Sequence, residues 1–107
     1  MTHQTEVLGQ LADTIAKRRH DSSDESYTAK LISQGMEKCA KKFGEEAVEL
    51  ALAAMTKDKS HITSEAADVL YHLVVLLEAA NVPIAHVMSE LEKRRSQSGL
   101  VEKASRN

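Results

Sequence analysis

Among its 107 residues this chain has one proline, one cysteine, no tryptophan and only three aromatic side chains, Tyr27, Phe43 and Tyr71. Each scarcity excludes something. No hairpin-type turn dipeptide occurs, and Ala, Leu, Glu and Lys dominate, so the chain reads as helix without strands. The lone Cys39 cannot form an internal disulfide, and the start Met1-Thr2-His3-Gln4-Thr5-Glu6 lacks a basic segment followed by an apolar one. Together these point to a reduced, cytoplasmic protein. Three aromatics provide no stacking platform for single-stranded nucleic acid. A formal net charge of -2, with both signs interspersed, provides no field for wrapping a duplex. The longest apolar stretch, residues 66–77, contains Asp68 and His72 and is too short to span a bilayer.

The length suits a single domain, residues 1–107, near the size at which burial is only marginally sufficient. Periodicity and caps predict four to five helices. The first runs from about Gln4 to Arg18, with Val7, Leu8, Leu11, Ala12 and Ile15 inward. Ser26 or Thr28 caps a short second helix that ends near Gln34, with Gly35 as the stop. The third covers Met36 to Met55 and contains Gly44, which hints at a close backbone approach. Ser60 caps the fourth, which ends near Ala80 and Asn81, and Pro83 suits the first turn of a fifth helix, Ile84 to about Arg95. A polar tail occupies about residues 96–107. Leu50 to Met55 and Leu70 to Leu77 are apolar on every side, and so short a chain has few helices to cover them. A homodimer that pools its helices is the simplest remedy.

What the chain does have is two acidic clusters, Glu45-Glu46-Ala47-Val48-Glu49 and Glu65-Ala66-Ala67-Asp68. On a helix advancing about 100° per residue, Glu49 lies about 40° from Glu45 and Glu46 about 100° from it. Lys38 and Lys42 share that sector, so a solvated face of Lys–Glu pairs is the ordinary reading of this helix. The fourth helix resists that reading. Glu65, Asp68 and His72 lie within about 60° of one another, and no Lys or Arg occurs between Ile62 and Val82. Asp68 then has only His72 as a partner on its own helix, unless a cation binds it. If the two helices face each other, Glu46, Glu49, Glu65 and Asp68 surround one point. An all-oxygen set of this kind suits Mg²⁺ or Mn²⁺ and not Zn²⁺, and Lys38, Lys41 and Lys42 would complement phosphate charge.

Glu46-x-x-Glu49 followed by Glu65-x-x-Asp68 resembles the metal-binding signature of the all-α, MazG-like nucleotide pyrophosphohydrolases. The segments Ser26-Tyr27-Thr28-Ala29-Lys30-Leu31, Lys41-Lys42-Phe43-Gly44-Glu45-Glu46 and Val69-Leu70-Tyr71-His72-Leu73 narrow the resemblance to the phosphoribosyl-ATP pyrophosphohydrolases of histidine biosynthesis. It covers nearly the whole chain, with Phe43 the loosest match. The resemblance implies a MazG-like helical bundle completed by homodimerisation, and hydrolysis of the α–β phosphoanhydride of phosphoribosyl-ATP to phosphoribosyl-AMP and pyrophosphate. It also implies a stand-alone form without the cyclohydrolase domain to which this enzyme is often fused.

Carried over position by position, Glu46, Glu49, Glu65 and Asp68 match the metal ligands, and Glu45 matches a glutamate that orients or deprotonates water or helps hold a second ion. Lys30, Lys38, Lys41 and Lys42 are candidates for the triphosphate, each equally a surface charge. Tyr27 and Thr28 are candidates for the nucleotide or phosphoribosyl moiety. His72 either holds Asp68 or reaches substrate. Arg94 and Arg95, with Lys93, Ser98-Gly99 and Lys103, either end a helix or close over the second phosphate group. Three other functions compete: a house-cleaning hydrolase of another nucleoside triphosphate, a di-iron carboxylate bundle, and a helical dimerisation module with no site. The di-iron reading is weakened because neither cluster has the Glu-x-x-His motif of that class.

Overall fold

In the computed structural model, which describes residues 6–96, five helices follow one another without strands: α1 (Val7–Arg18), α2 (Tyr27–Ser33), α3 (Met36–Thr56), α4 (Lys59–Ala79) and α5 (Ile84–Arg95). The expected start at Gln4 and the tail beyond Ser96 lie outside the described residues. α3 and α4 form a helical hairpin that carries most of the tertiary packing. α1 lies against α4, α2 wedges between α3 and α4, and α5 leans on α1. The α4 and α5 axes turn a corner of 117°. No single helix among the described residues is long and apolar enough to cross a membrane.

The core gathers Ile15 of α1, Leu31 of α2, Cys39 of α3 and Val74 and Val75 of α4. Leu8, Leu11, Ala12 and Ile84 pack around it. Val7 does not join its helix's inward stripe. It sits about 100° round the helix from Leu8 and is 52% exposed. Of the two stripes expected to need cover, that of α3 is open on the single chain, with Val48, Leu52 and Met55 59%, 64% and 79% exposed, while that of α4 is largely covered, Val74 and Val75 being buried and only Leu70 exposed, at 46%. Apolar side chains recurring at spacings of four and three on one helix form a contiguous surface that water covers at a cost.

Local signals set the boundaries, with three corrections. Ser26 is the cap of α2, its hydroxyl accepting from the Ala29 N–H at 3.2 Å. Thr28 is instead buried inside the helix, its hydroxyl bonded to that of Tyr71. At the next hairpin Asp58, and not Ser60, caps α4 by accepting from the His61 N–H at 3.2 Å. Lys57 ends α3 in the left-handed region (φ 62°), and that turn delivers a carboxylate to the cap position two residues before the expected serine. Gly44 approaches nothing, since a methyl group there would meet open space. The glycine that matters is Gly35, at φ +98°, which with Gln34 makes the two-residue link from the end of α2 to the start of α3. Asn81 (φ 58°) follows the end of α4, and Pro83 caps α5, which runs from Ile84 to Arg95 as expected.

Candidate active site

The α3–α4 hairpin brings the two acidic clusters together. One carboxylate oxygen each from Glu46, Glu49 and Glu65 lies within 4.8 Å of the other two. Glu46 and Glu65 are mostly buried, with side chains 14% and 16% exposed, while Glu49 lies at the open edge. Their helix spacing explains the convergence: Glu46 and Glu49 are one turn apart on α3, and Glu65 looks across from α4. Asp68 departs from the expectation. It is exposed on the single chain, although its charge still acts on Glu46 and His72.

The electrostatics of the three carboxylates are unfavourable as they stand. Burial, repulsion from Glu49, a hydrogen bond shared with Glu49 and the charge of Asp68 all raise the pKa of Glu46, and Lys42 partly offsets them. Oε2 of Glu46 and Oε2 of Glu65 are buried without a hydrogen-bond partner. Buried ionised oxygens without partners are costly, and a hard cation among them would remove both the repulsion and the deficit. The donor set, entirely carboxylate oxygen, suits such an ion.

His72 stands at the inner wall, buried, with Nε2 4.0 Å from Oε1 of Glu46. Asp68, one turn before it on the same helix, acts on the ring through its charge. Burial and then Lys42 lower the His72 pKa, against Asp68. Tyr71 and Tyr27 meet the imidazole edge to face, at centroid distances of 5.2 and 6.1 Å. His61, one turn before Glu65, sets Nε2 3.5 Å from Oε1 of Glu65.

Comparison with known proteins decides the kinship. Residues 8–95 match the family described as phosphoribosyl-ATP pyrophosphohydrolase. The chain belongs to this family. It is 56% identical over 100 residues to the phosphoribosyl-ATP pyrophosphatase of Dinoroseobacter shibae, covering 94% of this chain and 98% of the relative. It is 54% identical over 100 residues to the protein of the same name from Cereibacter sphaeroides, covering 94% and 97%. With that of Agrobacterium fabrum it shares 52% over 99 residues, covering 92% of each.

Around the carboxylates, this member of the phosphoribosyl-ATP pyrophosphohydrolase family arranges its other candidates unequally. Lys42 is the lysine whose charge reaches both Glu46 and His72, and its Nζ lies 3.7 Å from Oε1 of Glu45. Glu45, 48% exposed, shares an open cavity with Lys42, Gly44, Val48 and Glu49. Lys38 and Lys41 line a separate hollow with Gln34 and Glu37. Lys30 and Tyr27 border another, beside Ser23, Asp24 and Glu25 at the start of α2. Arg94 pairs with Glu90 at 3.3 Å and Arg95 with Glu92 at 2.8 Å, both along α5. Tyr71 is a residue that sequence reasoning did not assign: it ties Thr28 of α2 to α4 and packs against His72. Its signal in the sequence was its place in the Val69-Leu70-Tyr71-His72-Leu73 segment.

Proposed function

We propose that this chain is a single-domain hydrolase that adds water across the α–β phosphoanhydride of phosphoribosyl-ATP, releasing pyrophosphate and leaving phosphoribosyl-AMP, a step of histidine biosynthesis. The observation that carries the chemistry is the Glu46–Glu49–Glu65 cluster with two buried, partnerless oxygens. Family membership supports the substrate. We read the working protein as a cytoplasmic homodimer that binds neither nucleic acid nor membrane. The exposed Val48–Leu52–Met55 stripe supports the dimer.

Phosphoanhydride hydrolysis asks the protein chiefly for charge neutralisation and an aligned nucleophile. Glu46, Glu49 and Glu65, with Asp68 at the rim, would hold Mg²⁺ or, in its place, Mn²⁺. When bound, the ion supplies positive charge to the phosphate oxygens and acidity to water. Glu45, less buried than Glu46 and 3.7 Å from Lys42, would orient or deprotonate the attacking water or help hold a second ion. Lys42 complements the triphosphate charge. His72, whose ring meets Tyr71 and Tyr27 edge to face, would shape the wall beside Glu46. Lys30, Lys38, Lys41, Arg94 and Arg95 remain candidates for the outlying phosphates.

The test is Mg²⁺-dependent pyrophosphate release from phosphoribosyl-ATP, run beside a panel of simple nucleoside triphosphates and repeated with Glu46→Gln. Faster turnover of any simple triphosphate would replace the substrate; full activity of the variant would remove the metal assignment.

A further inference from the structure

His61 belongs to no motif, yet it lies beside the carboxylate cluster. Its Nε2 is 3.5 Å from Oε1 of Glu65, within ion-pair distance and a few tenths of an ångström beyond a formed hydrogen bond. The other oxygen, Oε2, is buried without a partner. Glu65 therefore has two unlike oxygens, one facing an imidazole and one buried and unclaimed, and one of the pair lies within 4.8 Å of a carboxylate oxygen of Glu46 and of Glu49. His61 also lines a cavity of about 410 Å³ together with Glu49, Leu52, Ala53, Thr56 and Glu65, so its ring borders the open approach to the cluster. Its backbone is fixed as well. The His61 N–H donates to Oδ1 of Asp58, which pins the first turn of α4 and with it the root of the imidazole.

We propose that His61 is a positioning residue for Glu65: by occupying Oε1 from the solvent side, it turns Oε2 toward Glu46 and Glu49 as a one-oxygen ligand. This rests on the reading of the cluster as a divalent-cation site. The physical reason is general, since a ligating carboxylate that is free to rotate loses affinity, and partners that orient ligands contribute 10–100-fold to metal binding. His61 is half exposed, so the lower end of that range applies. A residue that merely decorated the helix, as an ordinary pair four residues apart does, would leave Mn²⁺ affinity unchanged.

Mn²⁺ binding by the full chain, followed by electron paramagnetic resonance or calorimetry, separates the two. His61→Ala is expected to weaken Mn²⁺ about tenfold while leaving the melting temperature of the metal-free protein nearly unchanged. His61→Gln, whose amide N–H reaches about as far as Nε2, is expected to restore most of the affinity. Unchanged Mn²⁺ affinity in His61→Ala overturns the role. So does an equal loss in His61→Gln, which would make ring shape and not the donated hydrogen the cause. If the wild-type chain binds no Mn²⁺, the cation site falls and the role of His61 falls with it; a wild type that binds beside an Ala variant that binds equally well removes only the latter.

Discussion

The two halves of α4 have opposite characters within one continuous helix. From Tyr71 to Ala79 it is core: Val74 and Val75 are 2% and 1% exposed, and Leu76 and Ala79 pack around the cluster formed with Ile15, Leu31 and Cys39. From Lys59 to Asp68 it holds no fully buried apolar side chain, and it contributes a carboxylate with an unpartnered buried oxygen. His72 marks the border, buried like the core yet directed at Glu46. Stability is thus concentrated at one end of the hairpin, which frees the other end to hold groups that oppose folding. Substitutions in the two halves should therefore fail in different ways.

The largest effect expected is in the acidic half. Glu46→Gln keeps the shape of the side chain and removes its charge, so pyrophosphate release should fall by roughly 10²–10³-fold, the scale for losing one preorganised electrostatic contact. The metal-free variant should fold at least as well as the parent. A variant that lost both activity and fold would erase the contrast between the halves.

Next is the core. Ile15 is 0% exposed, and Ile15→Ala should cost about 2–5 kcal/mol by urea titration, from lost transfer energy and an unfilled cavity. Among molecules that remain folded, turnover and Mn²⁺ affinity should match the parent. A core substitution that changed ion affinity as strongly as Glu46→Gln would mean that the two halves are coupled.

The difference between the halves also governs what the sequence could reveal. Core residues such as Ile15 and Leu11 follow from helical period alone, since the apolar stripe must face inward. Glu46 and Glu49 were legible for the same reason, being one turn apart. The exposure of Asp68 was not, because it depends on the azimuth at which α4 packs on α3, which no spacing within α4 encodes. The choice of Asp58 over Ser60 as cap followed from the left-handed Lys57, a conformation that residue identity does not announce. His61 carried a signal, its four-residue distance from Glu65, but the same spacing describes many solvated pairs.

An intermediate effect should come from the ion itself. Mg²⁺ or Mn²⁺ at about one hundred times its dissociation constant should stabilise the parent by about 2.7 kcal/mol, seen as a higher melting temperature that a chelator reverses. The same addition should leave the melting temperature of Glu46→Gln nearly unchanged, while Ile15→Ala, though less stable, should gain as much as the parent. A gain of equal size in Glu46→Gln would move the ion elsewhere on the chain.

The smallest effect is the pH dependence that Glu46 imposes on the metal-free fold. Its pKa is raised by burial first and by Glu49 and Asp68 after that, with Lys42 opposing. A carboxyl whose folded pKa lies above its unfolded value binds its proton more tightly in the native state. Its contribution to stability is therefore complete below the unfolded value and is lost as pH rises through the folded one. Metal-free parent and Glu46→Gln should thus be similarly stable in acid, and the variant should become the more stable of the two as pH passes through the carboxylate range toward neutrality. Calorimetric scans of both proteins in chelator across that range measure the difference. His72 is present in both, with its pKa lowered by burial and Lys42, so its own titration largely cancels. A parent more stable than Glu46→Gln at neutral pH without metal would show that the ionised carboxylate is satisfied inside the protein, and that the acidic half of the hairpin needs no cation to fold at ease.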